Sequence, residues 1–381
     1  MGLKICYFGF YDPTYTRVRV ILKGLRNNGV EVIECRTCQS NMVARYFDLL
    51  YIFLKNVRSI DLILVSEAGH AYVPLAKLLS FFIRKPVVFD VYLSRYLVSV
   101  IEAKKYSAGS LYARLLHLLD SMACRIADKI LLDTDDHIEY FCTEYGLKQK
   151  KFVSVPIGAD EEWFKADQNR NYNNPTGVFK VLYVGTFNPL QGNEHVIGAA
   201  EILRDYKDIH FEFYGDGPRR EQIEFLAREH GLENVKFHGA IPSASVPSVM
   251  IGADLCLGVF GKTTQVEKVV PCKIYEALAM GLPLLTGKSL AVSRYLSHEK
   301  DVYFCQLGDA ESLADAIIKL KENPEMRRQI GENGLALFRK TATTKVIGAY
   351  LKEVFEKLHI EIAEMWELPD RIGDGRVECG Y

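Results

Sequence analysis

E-K-V-V-P-C-K-I-Y-E-A-L-A-M-G-L-P-L-L, residues 267–285, packs a helix start, a charged pair and a helix stop into one short stretch. Pro271 sets the backbone at a position where a missing N–H costs nothing. Ala277, Leu278, Ala279 and Met280 favour a helix, Gly281 is a natural residue just past its end, and Pro283 prevents its continuation. Leu284 and Leu285 then open a buried strand. Lys273 stands at the helix entrance and Glu276 three residues on, so the two side chains take neighbouring positions on one face. A lysine at a helix N-terminus opposes the dipole unless an anion sits between it and the free backbone N–H groups. A diphosphate fits that description, with Glu276 left to accept hydrogen bonds from sugar hydroxyls. The same spacing also fits an ordinary surface helix with an ion pair.

Outward from this stretch the chain alternates strands and helices. Leu3–Phe8 reads as a buried strand, followed by Gly9, a polar aromatic loop, a helix from about Arg17 to Asn28 and a strand at 30–34. This is the unit of a parallel doubly wound sheet. The loop after the first strand lacks G-x-G-x-x-G, so it is no dinucleotide fingerprint. Arg17 and Arg19 open the helix, either toward an anion or as solvated charges. Further helices are expected near 42–56, 73–82, 111–127 and 136–145, with strands at 62–66, 87–90, 130–133 and 152–156. The strand at 87–90 delivers Asp90 and Tyr92 to its carboxyl end, where ligands of such folds bind. A polar Asn/Pro/Gly stretch within 161–178 reads as a linker. The alternation then restarts, with strands at 181–185, 209–214, 235–238 and 255–259 and helices between them. Ile347, Leu351, Val354 and Leu358 recur at helical spacing in a last helix over about 344–360, and 366–381 reads as a loosely held tail. The reading is an α/β chain of two Rossmann-like domains, 1–165 with a returning segment 344–381, and 178–343.

Composition narrows the function. A charged fraction of 25%, a hydrophobic fraction of 49% and a net charge of −1 describe an ordinary globular chain and exclude a general nucleic-acid binder. Residues 1–115 nonetheless carry sixteen Lys/Arg against eight Asp/Glu, a net +8, leaving −9 for the remainder. That basic third could meet an anionic membrane surface or acceptor, or simply be solvated. Nine scattered cysteines fit reduced thiols, and Cys35-x-x-Cys38 has no second pair to hold zinc. No apolar run reaches the ~18 residues that cross a bilayer. Met1-Gly2-Leu3-Lys4 leads directly into a strand pattern, so a cytoplasmic chain is expected, with peripheral membrane contact through the basic N-terminal domain.

The loops at strand carboxyl ends of the second domain carry the site. They are Gly185-Thr-Phe-Asn-Pro-Leu-Gln-Gly192, Tyr214-Gly-Asp-Gly-Pro218, Gly239-Ala-Ile-Pro242 and Phe260-Gly-Lys-Thr-Thr264. Backbone N–H groups at 192–194 and 271–274 offer two anion-binding helix ends. With Val155-Pro-Ile-Gly-Ala-Asp160, Val235-Lys-Phe-His-Gly239 and the stretch from Pro271 to Pro283, these segments resemble the retaining glycosyltransferases of family four, the group-one class with two facing Rossmann-like domains called GT-B. The match is dense over about 153–340 and topological before it.

The resemblance implies a nucleotide-diphosphate sugar as donor, bound by the second domain, and a glycan or glycolipid acceptor on the first. No resident cofactor or metal is expected, and the last helix would return to the first domain. It implies that Glu276 accepts from the ribose, that Lys273 neutralises the diphosphate, and that Gln191 and Gly192 approach the same phosphates. Ile241 would line the base, with Gly9, Thr186, Gly215 and Pro271 completing the donor side and Asp90 on the reacting side. Thr186 and Gln191 stand where the family often carries a basic pair, which shifts charge neutralisation to Lys273 with Lys262 or Arg17. Lys268 stands where the family has the first Glu of E-x7-E, and Glu267 lies one place earlier. Lys268 could therefore pair with an acidic donor sugar or simply face solvent. A nucleotide-sugar epimerase and a non-catalytic sugar-nucleotide binder or scaffold remain as other readings.

Overall fold

Runs such as Leu62-Ile-Leu-Val65 show no polar alternation because both faces of a parallel sheet are covered. The computed structural model describes residues 2–56, 60–167, 170–172 and 177–372. The first sheet comprises β1 (Lys4–Gly9), β2 (Glu31–Arg36), β3 (Leu62–Val65), β4 (Val87–Asp90), β5 (Lys129–Leu132) and β6 (Phe152–Ser154), ordered β2-β1-β3-β4-β5-β6 and parallel throughout. The second comprises β7 (Phe179–Val184), β8 (Ile209–Tyr214), β9 (Val235–Gly239), β10 (Leu255–Leu257), β11 (Leu284–Gly287) and β12 (Tyr303–Cys305), ordered β12-β11-β10-β7-β8-β9 and also parallel.

Helices cover both faces of each sheet. In the first domain α1 (Thr16–Asn27) lies on one face, and α2 (Met42–Asn56), α3 (Val73–Ile83), α4 (Leu111–Ile126) and α5 (Asp135–Tyr145) on the other. In the second, α6 (Asn193–Ile202), α7 (Arg220–Glu229) and α11 (Ala310–Glu322) share one core. The opposite core takes α8 (Val246–Ile251), α9 (Cys272–Ala279), α10 (Leu290–Tyr295) and α12 (Pro324–Thr341). The sequence reading did not delineate β12, α10, α11 or α12, nor a π-helical turn at Leu97–Glu102.

The chain then returns. The last helix, α13 (Thr344–Ile372), sends Ile347, Leu351, Phe355 and Leu358 into the core of the first domain against α1. It outruns the expected end near 360, and 366–372 are helical rather than loose; 373–381 lie outside the described residues. The crossing is close because it is glycine on glycine: a Cβ on Gly348 would lie 2.0 Å from Gly24 O, and one on Gly24 2.4 Å from Thr344 O. Part of the presumed linker is not free either. Tyr172 donates its hydroxyl to Gly281 O at 3.1 Å, and Arg327 donates to Tyr172 O. Residues 168–169 and 173–176 of that stretch lie outside the described residues.

Candidate active site

The site grows from the entrance of α9. Pro271 stands at the N-cap with φ −63° and ψ 150°, and no side chain caps the first turn. Lys273 is buried there, its Nζ donating to Gln191 Oε1 at 2.6 Å and lying 3.9 Å from the centroid of the Tyr183 ring. Burial pushes its pKa down to about 7, against the pull of Cys272 and Glu276. The lysine fits because Gly185 has no side chain: a Cβ at that position would stand 2.7 Å from Nζ.

Glycines join the neighbouring loops. A Cβ on Gly215 would lie 1.9 Å from Gly185 O, and one on Gly192 (φ +63°) 2.4 Å from Gly261 N. Gly215 N donates to Gly239 O at 2.7 Å, tying in the turn that carries half-buried Ile241. Thr186 is exposed at the rim, its carbonyl accepting from the Tyr183 hydroxyl at 2.8 Å. The structure thus brings Lys273, Gln191, Gly192, Thr186 and Gly215 around one mouth.

Glu276 reaches the other domain. Its Oε1 accepts from Thr16 Oγ1, in the first turn of α1, at 3.0 Å. Burial raises its pKa, opposed by that bond and by the charges of Lys273 and Arg19. Tyr15 and Tyr92 stand beside this contact, hydrogen-bonded through their hydroxyls with rings edge-on at 5.7 Å. Tyr92 has φ +57°, an uncommon conformation for a bulky residue and one concentrated at functional sites.

Two expectations are corrected. Arg17 does not face a diphosphate, and Asp90 offers no free carboxylate. Both are buried and paired with each other, Asp90 taking bonds of 2.6–2.9 Å from Nε and Nη2 while Nη1 donates to Val155 O. Burial alone would lower the Arg17 pKa, but Asp90 more than offsets it and holds the guanidinium charged. Lys262 is exposed on the β11–β12 side, its stem lying over Gly308 on a cavity of about 680 Å³ that Glu267, Lys288 and Gln306 also line. Lys268 is an interdomain strut: Thr134 donates its hydroxyl to Lys268 O, and Nζ lies 5.5 Å from the Tyr140 ring centroid. Gly9 (φ +147°) belongs to its own sheet, where a Cβ would meet Ser66 Oγ at 2.4 Å. Glu267 accepts from Leu290 N at 2.7 Å and so secures the start of α10.

Other site residues had no signal in the sequence. Thr16 carries no motif, and Tyr183, which opens the family-like stretch Tyr183-Val-Gly-Thr-Phe187, has no role that the resemblance implies. Arg220 bridges two of the loops, donating to Gly215 O at 3.2 Å beside Gly239 while paired with Glu224 at 2.6 Å. Glu67, just past β3, is driven to a pKa of about 8 by burial and by Asp90. Among the described residues no group of His, Cys, Asp and Glu is suited to hold a metal.

Known proteins resemble this chain in sequence over its second half and in fold over nearly all of it. Residues 164–336 match the family model for "Glycosyl transferases group 1". The lipopolysaccharide core biosynthesis glycosyltransferase LpsD of Rhizobium meliloti is 26% identical over 184 residues, 48% of this chain and 51% of that protein. The O-antigen chain mannosyltransferase C of Escherichia coli is 25% identical over 208 residues, 53% of this chain and 54% of that one. The match thus spans about half the length of these curated relatives. Among solved structures, Anabaena Alr3699/HepE in complex with UDP and glucose has a TM-score of 0.70 at 16% identity, covering 93% of this chain and all of that one. WaaG, a glycosyltransferase involved in lipopolysaccharide biosynthesis, has a TM-score of 0.65 at 16% identity, covering 93% and 99%. Residues 164–336 thus match the group 1 glycosyl transferases, within a chain that shares the two-domain GT-B fold of these solved structures.

Proposed function

We propose that this chain moves a hexosyl group from a nucleotide-diphosphate sugar to a glycan or glycolipid acceptor, with retention at the anomeric carbon. The observation that carries the reading is the α9 entrance: a buried lysine held by Gln191, with Glu276 one turn on meeting the opposite domain. When the bond from the anomeric carbon to the diphosphate breaks, negative charge grows on the leaving oxygens. Lys273 and the uncapped first turn of α9 are in place to stabilise it. Arrival of the diphosphate would raise the Lys273 pKa and draw its ammonium off Gln191 toward the phosphates. Glu276 would take the ribose hydroxyls in place of Thr16, so donor binding and interdomain contact compete for one carboxylate. The acceptor hydroxyl would approach from the Tyr15–Tyr92 side and attack on the face the diphosphate leaves. Its proton would pass to a leaving-group oxygen, so no enzyme nucleophile is invoked. Lys273 and the helix end serve the leaving group without a metal. UDP, bound by the Anabaena neighbour, is the first nucleotide to try.

A panel of nucleotide sugars scored by thermal shift, followed by donor hydrolysis on the hits, tests the reading. Stabilisation by a nucleotide sugar and acceptor-dependent turnover support it. A changed sugar nucleotide released without acceptor would indicate an epimerase. Binding without turnover across a broad acceptor set would indicate a non-catalytic binder, a reading that Thr186 and Gln191 favour by standing where a basic pair is common.

A further inference from the structure

The helical layer over the first sheet is apolar on both sides. Leu49 and Phe53 of α2 pack inward, yet Val43, Phe47, Tyr51 and Leu54 recur on its opposite side, all more than half exposed. On α4, Ala113, Leu116 and Ala123 are buried, while Leu111, Leu115, Leu118 and Met122 form a stripe spaced i, i+4, i+7, i+11 pointing away from the sheet. Between them α3 adds Leu78, Phe81 and Phe82, the last 75% exposed. Because α2, α3 and α4 cover the same face of one sheet, the three stripes share one outer surface. Exposed apolar residues elsewhere in the described chain are scattered. On the other face, α13 covers α1. A patch of this extent marks a docking surface rather than ordinary exposure.

Charge selects the occupant. Residues 42–56, 73–85 and 97–126 hold nine Lys/Arg against three Asp/Glu, one of which, Asp120, is buried, for a net +6. A second copy seated face to face would set +6 against +6, whereas an anionic bilayer is attracted by the same charges that flank the apolar stripes. No described helix is long and apolar enough to cross a membrane, so the seat is interfacial. We propose that the α2–α3–α4 face docks this protein on an anionic lipid surface, with the three stripes in the headgroup–acyl boundary. The docked face adjoins the cleft. Glu102 accepts from Gln265 N of the second domain at 2.8 Å, and nine residues later Leu111 begins the α4 stripe. Lipid docking stands independently of the transferase reading.

The test is flotation of the full chain with vesicles of phosphatidylcholine plus phosphatidylglycerol, or of phosphatidylcholine alone. The variants are the triple substitution Phe47→Ser, Phe82→Ser, Leu115→Ser, and the pair Lys104→Glu, Lys105→Glu. Binding to the anionic vesicles is expected to exceed binding to the neutral ones by about tenfold or more and to fall with salt. The triple variant is expected to lose that binding with its melting temperature unchanged, since all three side chains are exposed. The lysine pair is expected to weaken binding and flatten its salt dependence. Absence of vesicle binding, or equal binding by wild type and the triple variant, overturns the proposal. So does a soluble dimer, seen by sedimentation velocity, that the triple variant dissociates. Stabilisation by nucleotide sugars is expected in all variants, so failure of docking and failure of donor binding are read separately.

Discussion

Lys273 is a costly residue in the empty protein. Burial lowers its folded pKa to about 7, whereas the unfolded chain keeps the ordinary value near 10.5. Below pH 7 both states are protonated and the folded protein bears the full penalty of a buried ammonium. Between pH 7 and 10.5 the unfolded state binds the extra proton, so stability rises with pH across that window. Lys273→Met is therefore expected to stabilise the unliganded protein below pH 7 by an order of a few kcal/mol, the gain fading toward pH 10, as measured by denaturant unfolding. The same variant is expected to lose transfer, and near-normal turnover would remove Lys273 from the site. Calorimetry above pH 7 in buffers of different ionisation enthalpy should show proton uptake when a nucleoside diphosphate binds. Glu276→Gln keeps the shape but not the charge, and should weaken donor binding by about 10- to 100-fold, the span of a hydrogen bond to a charged group. The lysine and glutamate were legible in the sequence because Pro271 and Gly281 bracket their helix. Arg17 and Asp90 were not, because their pairing depends on which way the first turn of α1 faces across β4, and residue type does not record that.

At the scale of elements, glycine does most of the joining. Gly185, Gly192 and Gly215 allow three loops to touch backbone to backbone, and a glycine-rich turn after each strand was visible in the chain. What could not be read was contact between turns far apart in sequence, such as Lys262 over Gly308 or Glu267 at the start of α10. The crossing of α1 and α13 makes the sharpest prediction. A methyl on Gly348 would meet Gly24 O at 2.0 Å, and helix backbones cannot yield locally. Gly348→Ala should cost about 1–3 kcal/mol or more despite the higher helix propensity of alanine. Thermal unfolding checks it, and a melting temperature at or above wild type would show that the helices slide apart freely. The periodicity of Ile347, Leu351 and Leu358 announced an amphipathic helix; its partner was announced only by the family resemblance.

Across the whole molecule, polar contacts among the described residues bridge the two domains: Thr16 on Glu276, Thr134 on Lys268, Glu102 on Gln265, and Arg294 with Asp136 at 3.1 Å. Apolar contact between them runs through Tyr92, Ile157, Ala159 and Phe164, which pack in the core around α9. A nucleoside diphosphate at about a hundred times its dissociation constant should raise stability by about 2.7 kcal/mol, seen as an upward shift in melting temperature. Glu276→Ala should abolish most of that shift. The returning helix also sets an order on assembly. Ile347, Leu351, Phe355 and Leu358 complete a core whose other members, such as Val18 and Leu25, are translated first. On the ribosome the amino-terminal half must therefore wait, with α1 unclad, until α13 (Thr344–Ile372) emerges, while the later-made half can already close. The lobe that is synthesised first is the one that finishes folding last, and its nascent form is the natural client for a chaperone.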